Sequence, residues 1–119
     1  MASANNRIGR RVPANFKVDY IHKGNYILSF NKNISVDGMY LCTENPPQVG
    51  QHIDLIFSVG TMQEVEVTAI VVWVNKAGPL KEKGMGVQFL SPLSPELKEN
   101  IVQIIDRVAV LEKDPRVIH

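Results

Sequence analysis

Two short polar segments carry residue types that could do chemistry. The first is Arg7-Ile8-Gly9-Arg10-Arg11, with Arg7 and Arg11 four positions apart and Arg10 between them. Arginine offers a rigid fork of donors that suits phosphate, and a flat cation that stacks on bases. A solvated basic arm is the plain reading of such a segment on its own. The second is Asn33-Ile34-Ser35-Val36-Asp37-Gly38, where an amide, a hydroxyl and a glycine stand at offsets zero, two and five. On an extended chain, period two would put the Asn33 and Ser35 side chains on one face. Gly38 would let the backbone turn or come close to a ligand. Equally, these residues form a polar turn closed by side-chain bonds to its own backbone.

Catalytic and metal chemistry find no comparable footing. His22, His52 and His119 are not spaced as metal ligands, and the lone cysteine, Cys42, makes no zinc pattern. Glu64 and Glu66 read as solvated, Cys42 as a small buried residue, and Trp73 as core. No glycine-rich loop precedes a helix to cradle phosphate. No catalytic residue, metal site or cofactor is therefore assigned, and the chain reads as a binding domain, not an enzyme.

The elements that must position the two segments are mostly strands. Phe16, Val18 and Tyr20 alternate with Lys17 and Asp19, and Tyr26, Leu28 and Phe30 with Ile27, Ser29 and Asn31. Met39 and Leu41, then Ile53, Leu55 and Phe57, then Met85, Val87 and Phe89 continue the period of two. Turn signals separate the runs, among them Lys23-Gly24-Asn25, Asp37-Gly38 and Val59-Gly60-Thr61. Five or six short strands at this spacing predict a mainly β antiparallel barrel or sandwich. The longest strand, Gln63 to Asn75, is apolar on both faces from Ile70 to Val74, so something should cover it outside the sheet. The C-terminal segment could do so. Ser94 reads as its N-cap with Pro95 next, and Leu97, Ile101, Ile104, Ile105, Val108 and Leu111 recur at helical spacing until Pro115 discourages continuation.

A chain of 119 residues, 45% apolar and 21% charged, suits one globular domain. The longest apolar run, Ala69 to Val74, is far too short for a membrane span, and the start of the chain shows no signal-peptide pattern. A single cysteine fits a reducing compartment, with the cytoplasm the expected location. Charge is uneven: residues 1 to 32 hold six basic side chains against one acid, and the remainder seven against eleven. A basic arm on an acidic body suggests an anionic partner at that end.

Taken together, the residues resemble the PilZ-domain family, bacterial receptors for cyclic di-GMP. The family pattern is Arg-x-x-x-Arg ahead of the barrel, then Asp/Asn-x-Ser-x-x-Gly some twenty to thirty residues on. Arg7 to Arg11 fits the first part and Asn33-x-Ser35-x-x-Gly38 the second, 22 residues later. Gly84-Met85-Gly86-Val87-Gln88-Phe89 and the preceding Val71-Val72-Trp73-Val74 are similar to the family's late strands.

The resemblance implies a six-stranded antiparallel β-barrel with a C-terminal helix over residues 7–112, between tails at 1–6 and 113–119. It implies cyclic di-GMP as ligand, with Arg7 and Arg11 on phosphates or guanine faces, Asn33 and Ser35 on a guanine edge, and Gly38 giving clearance. Arg10 and Asp37 are secondary candidates. Asp37 departs from the family's usual small residue and would place a negative charge near an anionic ligand. An effector protein would receive the signal, in motility, surface behaviour or development. Two other readings remain: a PilZ-fold adaptor that binds no nucleotide, which Asp37 favours, and an OB-like single-strand nucleic-acid binder using Phe16, Lys17, Tyr20 and Lys23. The core-facing parity of Phe16 and Tyr20 argues against the last.

Overall fold

A computed structural model describes residues 11–79, 82–90 and 92–113. Its strands are β1 (Val12–Pro13), β2 (Lys17–His22), β3 (Asn25–Ile34), β4 (Gly38–Cys42), β5 (His52–Val59), β6 (Met62–Asn75) and β7 (Gly84–Phe89), followed by one helix, α1 (Pro95–Lys113). All pairings are antiparallel, in the order β3-β2-β5-β6-β7-β4, and β4 returns to β3 to close a six-stranded barrel. Closure leaves no free edge among these six. The two-residue β1 lies outside the ring and pairs with the end of β3, Val12 opposite Ile34 and Pro13 opposite Asn33. Arg7, Arg10 and both expected tails lie outside the described residues, apart from Lys113, which ends the helix.

The alternating positions fill the barrel as period two requires. Val18, Tyr20, Leu41, Leu55, Val71 and Val87 are all fully buried. The tight β2–β3 hairpin turns through Lys23 and Gly24, both at positive φ (51° and 79°), the backbone that matches strand twist in a two-residue loop. In β3 the alternation is inverted. Ser29 and Asn31 face inward, while Tyr26, Leu28 and Phe30 are exposed. The Ser29 hydroxyl donates to the Val18 carbonyl and Asn31 Oδ1 accepts from the Phe16 amide at 2.7 Å, while Asn31 Nδ2 is buried with no hydrogen-bond partner among the described residues.

The helix begins as the sequence predicts, with Ser94 Oγ accepting from the Leu97 amide at 3.2 Å. Its position differs from expectation. It packs against β1 and β5, burying Leu97, Ile101 and Ile105, and does not cover the apolar end of β6. Asn100 ties it to the β5–β6 turn, its Oδ1 accepting from the Thr61 amide at 3.3 Å. A side chain at Gly60 would strike that same Oδ1.

The reason lies in β6. Its register with β7 slips between Val71 and Trp73, two steps on β6 against one on β7, from Val87 to Gly86. This bulge reverses the parity of everything beyond it. Val71 is buried, but Trp73, which reads as core by simple alternation, faces solvent with 55% of its surface exposed, and Val72 is 45% exposed.

Candidate functional site

The exposed Trp73 stands at one end of a row that crosses four strands. Asn33 on β3 pairs with Tyr40 on β4, Tyr40 with Gly86 on β7, and Gly86 with Trp73 on β6. Gly86 has no side chain to separate its neighbours, so the Tyr40 and Trp73 rings meet across it, centroids 5.3 Å apart and tilted 53°. The row lines an open cleft of about 450 Å³, to which Arg11, Lys32, Val72, Asn75 and Glu82 also contribute. That size is ordinary for a small-molecule site.

Each wall has a local cause. The β1–β3 pairing delivers Arg11 beside Asn33, and Arg11 Nη1 donates to Asn33 Oδ1 at 3.0 Å. Lys32 stands at a second register slip, between Asn31 and Asn33 in the β3–β4 pairing. Glu82 anchors the far rim through its backbone, its carbonyl accepting from Tyr40 Oη at 2.7 Å and Asn75 Nδ2 at 3.1 Å. Burial pushes the Tyr40 phenol above its ordinary value, so it is a neutral donor here. The cleft thus combines two cations, two amides, one acidic residue and an open indole wall. With cations in excess over acids and an exposed ring, such a set has the chemistry to take an anionic ligand with a flat ring.

The second polar segment divides. Asn33 lies on the cleft; Ser35, Asp37 and Gly38 do not line it. Asn33 and Ser35 do not share a face, because β3 ends at Ile34 and the chain turns. Ser35 is 1% exposed and closes that turn: its Oγ accepts from the amides of Asp37 (3.1 Å) and Gly38 (3.2 Å) and lies 3.3 Å from the Gly38 carbonyl, as its donor. Its own amide donates to the same carbonyl at 2.8 Å. Gly38 is buried, and a Cβ there would lie 2.0 Å from the Val87 carbonyl oxygen. The glycine therefore permits close approach of β4 and β7. Asp37 is exposed and borders a separate hollow with Val36, Phe89, Leu93 and Lys98. Its carboxylate is accordingly not part of the Arg11–Asn33 wall.

Sequence reasoning passed over Tyr40, Lys32 and Trp73 as site residues. The available signal was the double-faced apolar end of β6 next to Gly84-Met85-Gly86, which marks a bulge as readily as a covered strand. Among the described residues, no group of three or more His, Cys, Asp or Glu could hold a metal ion, and no helix is long and apolar enough to cross a membrane.

A family model described as the PilZ domain matches residues 5–107. Two solved structures share the fold. One is the Bacillus subtilis inhibitor of motility (MotI/DgrA), with a TM-score of 0.71 and 18% identity over 87% of this chain and 50% of that one. The other is the PilZ domain of CeSA from a cellulose-synthesizing bacterium, with a TM-score of 0.58 and 13% identity over 87% of this chain and 98% of that one. The chain thus spans about half the length of the motility inhibitor. No curated protein matches.

Proposed function

The chain belongs to the PilZ-domain family, and from that premise we propose that it is a cyclic di-GMP receptor that signals occupancy to an effector protein. The observation that carries this reading is the 3.0 Å bond between Arg11 and Asn33, which joins the two polar segments on one wall of the cleft opposite an exposed indole. Arg11 would reach a phosphate or the O6/N7 edge of a guanine, and the Asn33 amide a guanine edge. Trp73 would stack on a purine. Ser35 and Gly38 would act at one remove, fixing the turn and strand approach that hold Asn33. Arg7, outside the described residues, would complete the arginine pair on the strength of the family resemblance. As a PilZ domain the chain is a receptor or adaptor, and its output would pass by protein contact in the cytoplasm. The inhibitor of motility among its structural neighbours favours motility within the wider field of surface behaviour and development.

Trp73 is the only tryptophan in the chain, so its fluorescence reports directly on the cleft. Adding cyclic di-GMP should change that fluorescence saturably, and GTP or cyclic di-AMP should do so only at far higher concentration. A folded domain whose Trp73 responds to none of them is a PilZ-fold adaptor without nucleotide.

A further inference from the structure

A second surface lies on the outer face of β3, β2, β5 and β6. Tyr26, Leu28 and Phe30 are 57%, 64% and 55% exposed along a single strand. The pairings extend this stripe into rows across the sheet. Leu28 faces Asp19, Asp19 faces Ile56, and Ile56 faces Glu66; Tyr26 faces Ile21, Ile21 faces Asp54, and Asp54 faces Thr68. Large apolar side chains thus stand beside carboxylates. The Lys and Arg side chains in these strands' outward rows lie only at the Phe30 end: Lys17 opposite Phe30, and Lys32, two residues beyond it, on the nucleotide cleft. Three large apolar residues side by side on an open face mark a contact surface rather than chance exposure.

The charge says what the contact should be. Asp19 is only 7% exposed, its Oδ2 accepting from the Tyr26 hydroxyl at 2.7 Å and lying 3.7 Å from Lys17 Nζ. Its Oδ1 is buried with no hydrogen-bond partner among the described residues. The hydrogen bond to Asp19, then desolvation and the nearby charges of Asp19 and Glu64, push the Tyr26 phenol up, placing Glu64 in the same electrostatic neighbourhood. A second copy of this face would set carboxylates against carboxylates, and an anionic lipid surface would be repelled. A cationic group laid beside Leu28 and Ile56 would offset the carboxylates while apolar neighbours covered the stripe.

We propose that this face, the Tyr26–Leu28–Phe30 stripe bordered by Asp19, Asp54, Glu64 and Glu66, docks a basic, apolar segment of a partner protein. It rests on the receptor reading in one respect, that the domain acts through protein contact; it uses no residue of the nucleotide cleft.

The test uses the full chain, labelled with ¹⁵N, and a synthetic amphipathic helix with leucine on one face and arginine on the other. The peptide should shift amides of β2, β3 and β5, and its counterpart with glutamate in place of arginine should not. Leu28→Lys and, separately, Glu66→Lys change exposed side chains, and each should weaken the peptide by about tenfold or more. Both variants should keep the Trp73 response to cyclic di-GMP, which also shows that they fold. Shifts confined to other surfaces, equal response to the acidic peptide, or unchanged affinity in both variants would overturn the proposal. So would preferential binding of phosphatidylglycerol vesicles to this face, or its burial in a homodimer. If Trp73 ignores the nucleotide while the peptide still maps here, the cleft reading fails and the docking face stands; the reverse result removes the docking face alone.

Discussion

Replacing Gly38 with alanine separates two roles that its place in the Asn-x-Ser-x-x-Gly pattern leaves merged. If the glycine only gives a ligand room, the empty domain should tolerate a methyl group. The structure requires otherwise. The new Cβ would lie 2.0 Å from the Val87 carbonyl oxygen, 3.0 Å from its carbon and 3.1 Å from Gln88 Cα, all backbone atoms of the paired strand. A relaxed carbon–oxygen contact is about 3.3 Å, so β4 and β7 must part by more than an ångström locally. That strains the Gly38–Gln88 pairing and the adjoining 2.8 Å bond from the Phe89 amide to the Asp37 carbonyl. Overpacking of this kind costs about 1–3 kcal/mol, and one weakened backbone hydrogen bond adds about 1 kcal/mol. At about 2.1 cal/mol/K per residue of unfolding entropy, a total of about 2–4 kcal/mol lowers the melting temperature by about 8–16 °C. Circular-dichroism melts of ligand-free Gly38→Ala against the natural chain measure it. A shift smaller than about 2 °C would refute the argument from strand approach and return Gly38 to the role of ligand clearance.

Trp73→Ala should cost the empty domain no more than about 1 kcal/mol, because the lost ring contact is with Tyr40 alone among the described aromatic residues. The same change should weaken cyclic di-GMP by about 1–3 kcal/mol, measured by calorimetry, through loss of a stacking platform. Arg11→Ala should weaken the nucleotide by about 1.5–3 kcal/mol and leave the melting temperature almost unmoved, because Arg11 is exposed; unfolding would make it a structural residue. Stability should fall in alkali. Burial raises the Tyr20 and Tyr40 phenols above their ordinary 10.0, and the bond to Asp19 raises that of Tyr26. The unfolded chain then loses its phenolic protons first. The stabilisation is complete below pH 10 and declines as pH rises through the folded values, which melts combined with tyrosinate absorbance should follow.

Most of the barrel was legible because period two is a direct statement about faces. Six alternating runs became β2 to β7, and Ser94 capped the helix where its residue type said it would. What misled was register, which no alternation records. Trp73 has the parity of Val71 and would be core on a regular strand, yet one slip against Gly86 turns it into the wall of the cleft. Likewise Asn33 and Ser35 share a parity, but the strand stops between them, so one side chain reaches the cleft and the other closes a turn. In β3 the more apolar parity points outward, because Ser29 and Asn31 find inward hydrogen bonds that hydropathy alone does not reveal. Helix placement was read from an uncovered strand, and the bulge that exposes Val72 and Trp73 removes the need for that cover.

The central claim is that the Arg11–Asn33–Trp73 cleft is a cyclic di-GMP site, and calorimetric titration of the full chain tests it most directly. Cyclic di-GMP should bind with a dissociation constant of about 1 µM or tighter, about −8 kcal/mol, while GTP and cyclic di-AMP bind far more weakly. Equal affinity for all three would reduce the cleft to a general anion site. No heat with any of them, from a domain still folded, would contradict the account.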